Sequence, residues 1–210
     1  PTTADLSALL EELKEEPWFS GLALMAGRRM LSENKLANAI QLFESALIED
    51  PRSPAAAEGL ARAKRMLGDV EGAQAAYLRS IEIDPDYAIG HFNLAVLYLH
   101  SGRLDLAIAS YEQALRIRGE DRGTLRAMGG AALVGLDREQ ALGYFERAIL
   151  AASQDAEAQV LRGKVLAQME RYEEASAAFA KALELEPKNR GAASALANIE
   201  RLLAGETRAK

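Results

Sequence analysis

Residues 88–121 read AIGHFNLAVLYLHSGRLDLAIASYEQALRIRGED. Ala107 and Tyr111 in this stretch stand 34 positions after Ala73 and Tyr77, and 34 before Ala141 and Phe145. Working outward, the series becomes Ala39, Ala73, Ala107, Ala141 and Ala175, each followed four residues later by Phe43, Tyr77, Tyr111, Phe145 or Phe179. A small side chain recurs three residues further on, at Ala46, Ser80, Ala114, Ala148 and Ala182. Self-similarity at a fixed period marks a stacked repeat, in which each unit contacts mainly its neighbours. Such a stack presents a long surface and seldom carries chemistry inside it.

With residue 20 as position 1, the repeats span 20–53, 54–87, 88–121, 122–155 and 156–189, without insertion or deletion. Position 8 is small throughout (Gly27, Ala61, Ala95, Gly129, Gly163), and position 28 is aliphatic (Leu47, Ile81, Leu115, Ile149, Leu183). Pro51, Pro85 and Pro187 close three repeats at position 32, where Gly119 and Ser153 stand in the other two. Ala and Leu at helical spacing give two amphipathic segments per repeat, of about twelve to fourteen residues each. Gly68-Asp69, Gly102-Arg103 and Leu136-Asp137 mark the turns between them. The closing Pro cannot continue a helix, so the chain reverses there. No run of alternating β-branched residues predicts a strand.

This pattern resembles the tetratricopeptide repeat, a helix–turn–helix unit with small residues at positions 8, 20 and 27, an aromatic near 24 and Pro at 32. The resemblance covers 170 of the 210 residues. It implies an all-α fold, a right-handed superhelical solenoid of these hairpins. Arg162 at position 7, Lys64 at position 11 and Gln159 at position 4 depart from the apolar pattern, so these sites are expected to pack loosely or snorkel outward. Pro17 falls in register with the closing Pro. Residues 1–19, with Leu6, Leu9, Leu10 and Leu13, are therefore expected to carry the second helix of a decayed preceding repeat. Trp18 and Phe19 would staple that helix to the first full repeat, mark a dimer surface, or let residues 4–15 plug the groove. Residues 190–210 are expected to form a capping helix with Ala193, Leu196 and Ala197 in packing positions, then a polar tail.

Composition narrows the function classes. Hydrophobic residues make up 49% of the chain, ample for a continuous core in one repeat domain. A net charge of −6 argues against nonspecific nucleic-acid binding, despite local clusters at Arg62, Lys64, Arg65 and at Arg116, Arg118, Arg122, Arg126. No apolar run reaches the ~20 residues a bilayer span requires. The chain contains no Cys, which excludes disulfides and leaves the compartment open. Starting at Pro1, it reads either as a cytoplasmic chain trimmed of its Met or as a piece of something longer; a periplasmic chain whose leader was removed is the alternative location.

Nothing points to catalysis, a cofactor or a metal. His91 and His100 lie nine residues apart on one predicted helix and point to opposite sides, so they cannot share an ion. His91 occupies a packing position and His100 a groove or surface position. Carboxylate pairs such as Glu11-Glu12, Glu15-Glu16 and Glu173-Glu174 fall on outward helix faces, with nothing to hold a raised pKa for acid–base work.

The resemblance implies that positions 2, 5, 6, 9, 12 and 13 of each first helix line a concave, partner-binding surface. Those positions hold Leu24, Met25, Arg28 and Leu31 in repeat one, then Glu58, Arg62 and Arg65 in repeat two. Repeat three supplies Ile89, Phe92, Asn93, Val96 and Leu99; repeat four Gly123, Arg126, Ala127, Gly130 and Leu133; repeat five Val160, Leu161 and Lys164. Two readings follow. Arg28, Arg62, Arg126 and Lys164 form a cationic stripe suited to an acidic segment or a free carboxylate, unless they pair with acids such as Glu58 and Glu157. Gly123, Ala127 and Gly130, between Phe92, Val96, Leu99 and Val160, Leu161, form an apolar trough for a bulky side chain or an amphipathic helix, unless neighbouring helices cover them. The carboxylate-clamp pattern of the resembling family is absent, since only Asn93 matches it, and the asparagine ladder at position 6 is missing too.

The expected function is a non-enzymatic adaptor binding a partner protein segment, by analogy an accessory factor of a bacterial assembly or secretion machine. The alternatives are the targeting arm of a larger enzyme and a scaffold that self-associates through its N-terminal helix. The small positions are testable at once: Ala107→Leu is expected to cost about 1–3 kcal/mol by overpacking, read by urea denaturation.

Overall fold

Five hairpin turns pass through a residue with left-handed backbone: Asn34 (φ 58°), Gly68 (89°), Gly102 (71°), Leu136 (62°) and Glu170 (60°). All five stand at position 15 of their repeats, so the turn geometry recurs even where the residue type does not. Glycine enters this region without a Cβ clash, whereas Leu136 and Glu170 hold it at a cost of about 1 kcal/mol each.

The computed structural model describes residues 19–205, and the structure is helical throughout that span, with no strand among the described residues. The helices are α1 Phe19–Ser32, α2 Leu36–Glu49, α3 Pro54–Leu67, α4 Val70–Ile83, α5 Ala88–His100 and α6 Leu104–Arg118. They continue as α7 Arg122–Val134, α8 Arg138–Ala151, α9 Ala156–Gln168, α10 Tyr172–Leu185 and α11 Arg190–Leu203. Six starts are capped by a side-chain oxygen accepting a backbone N–H: Ser53, Asp69, Asp121, Asp137, Asp155 and Asn189. Each such cap satisfies one orphan donor and stabilises its helix by about 1 kcal/mol. α2, α4 and α10 stop two residues before Pro51, Pro85 and Pro187. The residue before a proline is pushed out of helical geometry. α8 stops at the same position, two residues before Ser153, without a proline.

The chain divides into two compact units, Pro1–Ile117 and Arg118–Lys210. In the first, α1 packs on α2, α3 on α4, and the hairpins stack through α2–α3, α4–α5, α1–α3 and α3–α5. In the second, α7 pairs with α8 and α9 with α10, stacked through α8–α9, α10–α11 and α9–α11. Both cores use the same parts. The position-24 aromatics Phe43, Tyr77, Tyr111, Phe145 and Phe179 are all fully buried, as are the alanines at position 20. Each ring contributes about 1.5–3 kcal/mol by leaving water. Ser80 is accommodated at position 27 because its hydroxyl donates to Tyr77 O at 2.7 Å.

The ring at position 24 lies against position 8 of its own hairpin. A Cβ added at Gly27, Gly129 or Gly163 would come within 2.8, 2.5 or 2.9 Å of Phe43, Phe145 or Phe179. Every repeat with Gly at position 8 has Phe at 24, and both repeats with Ala there (Ala61, Ala95) have Tyr (Tyr77, Tyr111). Phe43 is gripped from two sides, because Gly59 of the following hairpin also meets its ring.

Two expectations are corrected. Gln159 neither packs loosely nor snorkels; it is buried, as Ala23, Ala57 and Leu125 are at the same position of their repeats. Arg162 behaves as expected of a snorkelling side chain, with only 24% of it exposed and Nε 3.4 Å from Glu146 Oε1. In α11 the buried residues are Ala192 and Ile199, while Ala193 is exposed. Positions 3 and 10 face the preceding hairpin, as Gly90 does against Ser80 and Ile81. Position 4 faces a hairpin partner, and among the described residues α11 has none. Leu202 and Leu203 are exposed near the end of α11. The helix expected over 4–15, Trp18 with the Phe19 side chain, and Glu206–Lys210 lie outside what the structure describes.

Two substitutions with opposite signs test this packing. Gly59→Ala should destabilise by about 1–3 kcal/mol, because the Phe43 ring cannot retreat. Leu136→Gly should stabilise by up to about 1 kcal/mol by relieving the left-handed turn. Urea denaturation of the full chain reads both.

Candidate functional site

The face carried by the first helices holds most of the polar side chains that the sequence singles out, and in each unit a charged cluster organises them. In the N-terminal unit the centre is Glu58, on α3 at position 5. Its side chain is only 6% exposed, and it is surrounded by donors. Asn93 Nδ2, from α5, donates to Glu58 Oε1 at 2.7 Å. Arg62 Nε, one turn along α3, stands 3.7 Å from the same oxygen, with its own side chain 45% exposed. Arg28, exposed on α1, acts on Glu58 through space. Burial pushes the Glu58 carboxyl above the usual glutamate range; Arg62, Arg28 and the Asn93 hydrogen bond pull it part of the way back. Tyr87 beside it is raised as well, by burial first and then by the Glu58 charge.

Next to this cluster α5 displays an apolar stripe at helical spacing. Ile89 is exposed, and Phe92, Val96 and Leu99 are half-buried. Phe92 is anchored edge-on against Tyr111, with ring centroids 5.5 Å apart and planes at 63°. Leu31, expected on this surface, is instead buried. Glu58 is buried too, so it shapes the surface from beneath.

In the C-terminal unit the charge balance inverts. Arg126 Nη1, on α7, lies 3.3 Å from Asp155 Oδ1 and contacts Glu157 Oε2. Asp155 is buried and also caps α9 by accepting from Ala158 N at 3.0 Å. Arg126 is thus held by two acids, the pairing weighed against a free cationic stripe. Ala127 and Gly130 are half-buried on the same helix, and a side chain added at Gly130 would meet nothing within 4 Å. Val160 and Leu161, with Leu133, pack partly against the core of this unit. Lys164 is exposed. The predicted trough therefore distributes Phe92, Val96 and Leu99 to one unit and Ala127, Gly130, Val160 and Leu161 to the other.

Sequence reasoning named Glu58 and Arg126 but missed Asp155, whose signal was its place immediately before a helical run, where an N-cap belongs. It also missed Tyr87, which carries no such mark. The histidines make local contacts: a ring nitrogen of His91 lies 3.0 Å from Pro85 O, and one of His100 lies 2.7 Å from Val96 O. Among the described residues no three His, Asp or Glu side chains converge to hold a metal ion. No described helix is long and apolar enough to cross a membrane. A depression of about 490 Å³ lined by Glu44, Leu47, Ile48, Leu60 and Arg79 lies apart from all these residues.

Comparison with known proteins agrees with the architecture. Three family models, each described as tetratricopeptide repeat, match residues 30–88, 65–122 and 156–189. The chain belongs to the tetratricopeptide-repeat family, whose repeat is a protein-interaction module. It is 28% identical over 116 residues to a probable UDP-N-acetylglucosamine–peptide N-acetylglucosaminyltransferase, SPINDLY, of Hordeum vulgare, covering 52% of this chain and 12% of that protein. It is 34% identical over 82 residues to a TPR repeat-containing thioredoxin, TTL4, of Arabidopsis thaliana, covering 39% of this chain and 12% of that one. The chain thus matches about an eighth of either relative's length.

Among solved structures, MamA superposes with a TM-score of 0.69 at 18% identity, over 81% of this chain and 93% of that one. A thermophilic TPR protein of Thermus thermophilus gives 0.64 at 24% identity, over 86% and 98%. YrrB, described as a TPR protein with an unusual peptide-binding site, gives 0.66 at 17% identity, over 88% and 95%. At these identities the likeness establishes the fold alone.

The position of Glu58 makes stability depend on pH. Its folded-state pKa lies above its unfolded value, so its stabilising contribution is complete below about pH 4.3 and is lost as pH rises through the folded value. Gln at this position keeps an oxygen for Asn93 and never ionises. The stability of Glu58→Gln relative to the parent should therefore rise between about pH 4 and about pH 7.5, a trend that urea denaturation at the two values would reveal.

Proposed function

We propose that this chain is a non-enzymatic interaction scaffold whose N-terminal unit binds an acidic, amphipathic segment of a partner protein. One observation carries the reading: on an otherwise acidic chain, the first-helix face gathers two guanidinium groups, Arg28 and Arg62, around one buried carboxylate. The surplus positive charge lies beside the apolar stripe of α5. A helical partner with a Glu or Asp one turn from Leu or Phe would satisfy both, the acid on Arg62 and Arg28 and the apolar side chain over Phe92, Val96 and Leu99. Asn93 fixes the boundary between the two regions.

The C-terminal unit plays a different part in this reading. Arg126 is neutralised by Asp155 and Glu157, so Ala127, Gly130, Val160 and Leu161 offer apolar contact, with exposed Lys164 at its margin. The peptide-binding site in the description of YrrB supports a peptide ligand for this fold, and the charge arrangement supports an acidic one. A cytoplasmic setting, or a periplasmic one, is compatible with this activity. A second reading, the targeting arm of a longer enzyme, draws on the transferase and thioredoxin relatives, in which the matched repeats form 12% of each protein.

Selection of displayed random peptides on the full chain tests the proposal. Sequences with acidic and apolar residues at helical spacing should be enriched. Arg28→Glu with Arg62→Glu should weaken the enriched peptides at least about tenfold, and Ala127→Arg, in the other unit, should leave those peptides unaffected. Enrichment of basic peptides, or binding indifferent to the paired arginine changes, would refute it.

A further inference from the structure

We propose that Glu58 is the specificity-determining residue of the N-terminal site: ionised, it cancels one of the two guanidinium charges offered to an acidic partner, and protonated, it releases that charge. This inference rests on the acidic-partner reading above and adds its regulation.

The geometry separates the two jobs. Glu58 is closed off from water, whereas Arg62 is half-exposed, so the carboxylate neutralises the guanidinium from beneath while its outward edge stays open to a ligand. Coulomb interactions at such a site are screened far less than on the surface, so removing one buried negative charge changes the attraction felt by an incoming carboxylate. Protonation leaves the architecture standing. The acid's carbonyl oxygen still accepts from Asn93 Nδ2, so α3 and α5 remain tied and only the charge changes.

Among the groups around Glu58 it is the one carboxyl, and burial disfavours its charged form. The groups facing it are Arg28 from α1, Arg62 on α3, Tyr77 from α4, and Tyr87 and Asn93 at the start of α5 and within it. The arginines remain charged at all relevant pH values. Both tyrosines are moved upward, chiefly by burial, and stay neutral. Glu58 itself is displaced by burial toward neutrality. An acidic ligand would displace it further, since a second carboxylate across Arg62 disfavours the ionised form. By linkage, binding of the acid and uptake of a proton favour each other.

The test uses the full chain and a capped, tetramethylrhodamine-labelled amphipathic peptide of Glu and Leu, with a Gln-for-Glu version as control. Anisotropy titrations at about pH 5.5 and about pH 7.5 keep the peptide's own carboxylates ionised. The parent should bind the Glu peptide about threefold to tenfold more tightly at the lower pH. Glu58→Gln should bind it equally at both, and at least as tightly as the parent does at the lower pH. The Gln peptide should show no pH dependence with either protein.

His91 and His100 are present in both proteins, so the difference between parent and variant isolates Glu58. Equal pH dependence in parent and variant overturns the inference and leaves the acidic-partner reading intact. Failure of both proteins to bind the Glu peptide at either pH overturns that reading and the inference with it. A carboxyl-carbon NMR titration of Glu58 in the parent gives an independent answer, whether or not Glu58→Gln folds. Its midpoint should rise when peptide is present, and an unmoved midpoint refutes the linkage.

Discussion

The structure depends on an aromatic ring pressed against a residue with little or no side chain. In the three hairpins with Gly at position 8 the position-24 ring fills the space that the glycine leaves open, and in none of the five is that ring exposed to more than a trace of solvent. Close approach of the two helices and burial of the ring are one event, since neither is possible without the other. Phe43 shows how this propagates. Its ring meets Gly27 of its own hairpin and Gly59 of the next, so one side chain fixes the pairing of α1 with α2 and the stacking of α3 upon them.

Because the hairpins bury their cores along these seams, the outer edges of α1, α3 and α5 are released from packing and can carry polar side chains. That freedom has a limit, and Glu58 lies on it. A carboxylate this deeply buried is destabilising unless it is paired and hydrogen-bonded. Here Asn93 supplies the hydrogen bond, and Arg62 and Arg28 supply the compensating charge, so the cost is reduced but not removed. A buried charge that is only partly compensated is poised to respond to whatever approaches it. Asp155 reaches the opposite outcome with the same chemistry. It serves as the cap of α9 and the partner of Arg126 at once, and so it is built into the frame of its unit.

Much of the fold was legible because it is written five times. A ring and an alanine at constant intervals in all five repeats, with a closing proline in three, carry more weight than any single propensity, and α2, α4 and α10 stop where the prolines require. The left-handed residue at position 15 was legible where glycine occupies it, and Asn34 is of a type that tolerates that region; Leu136 and Glu170 adopt the same conformation with no sign of it in their identities. Gln159 and Ala193 were misjudged for a related reason. Whether position 4 is buried depends on the helix opposite, and a side chain's polarity says nothing about whether that helix exists.

The order of residues alone determined the repeat, its register and which positions are small, because those follow from periodicity and volume. It also placed Arg28, Arg62, Asn93 and Arg126 on the first-helix face. What it could not decide was the charge each of them presents. That is a property of neighbours brought together across turns and hairpins: Glu58 and Asn93 are 35 residues apart, and Arg126 and Asp155 are 29 apart. Electrostatic character falls off with distance in space and not along the chain, so only the folded arrangement could make one cluster cationic and the other anionic.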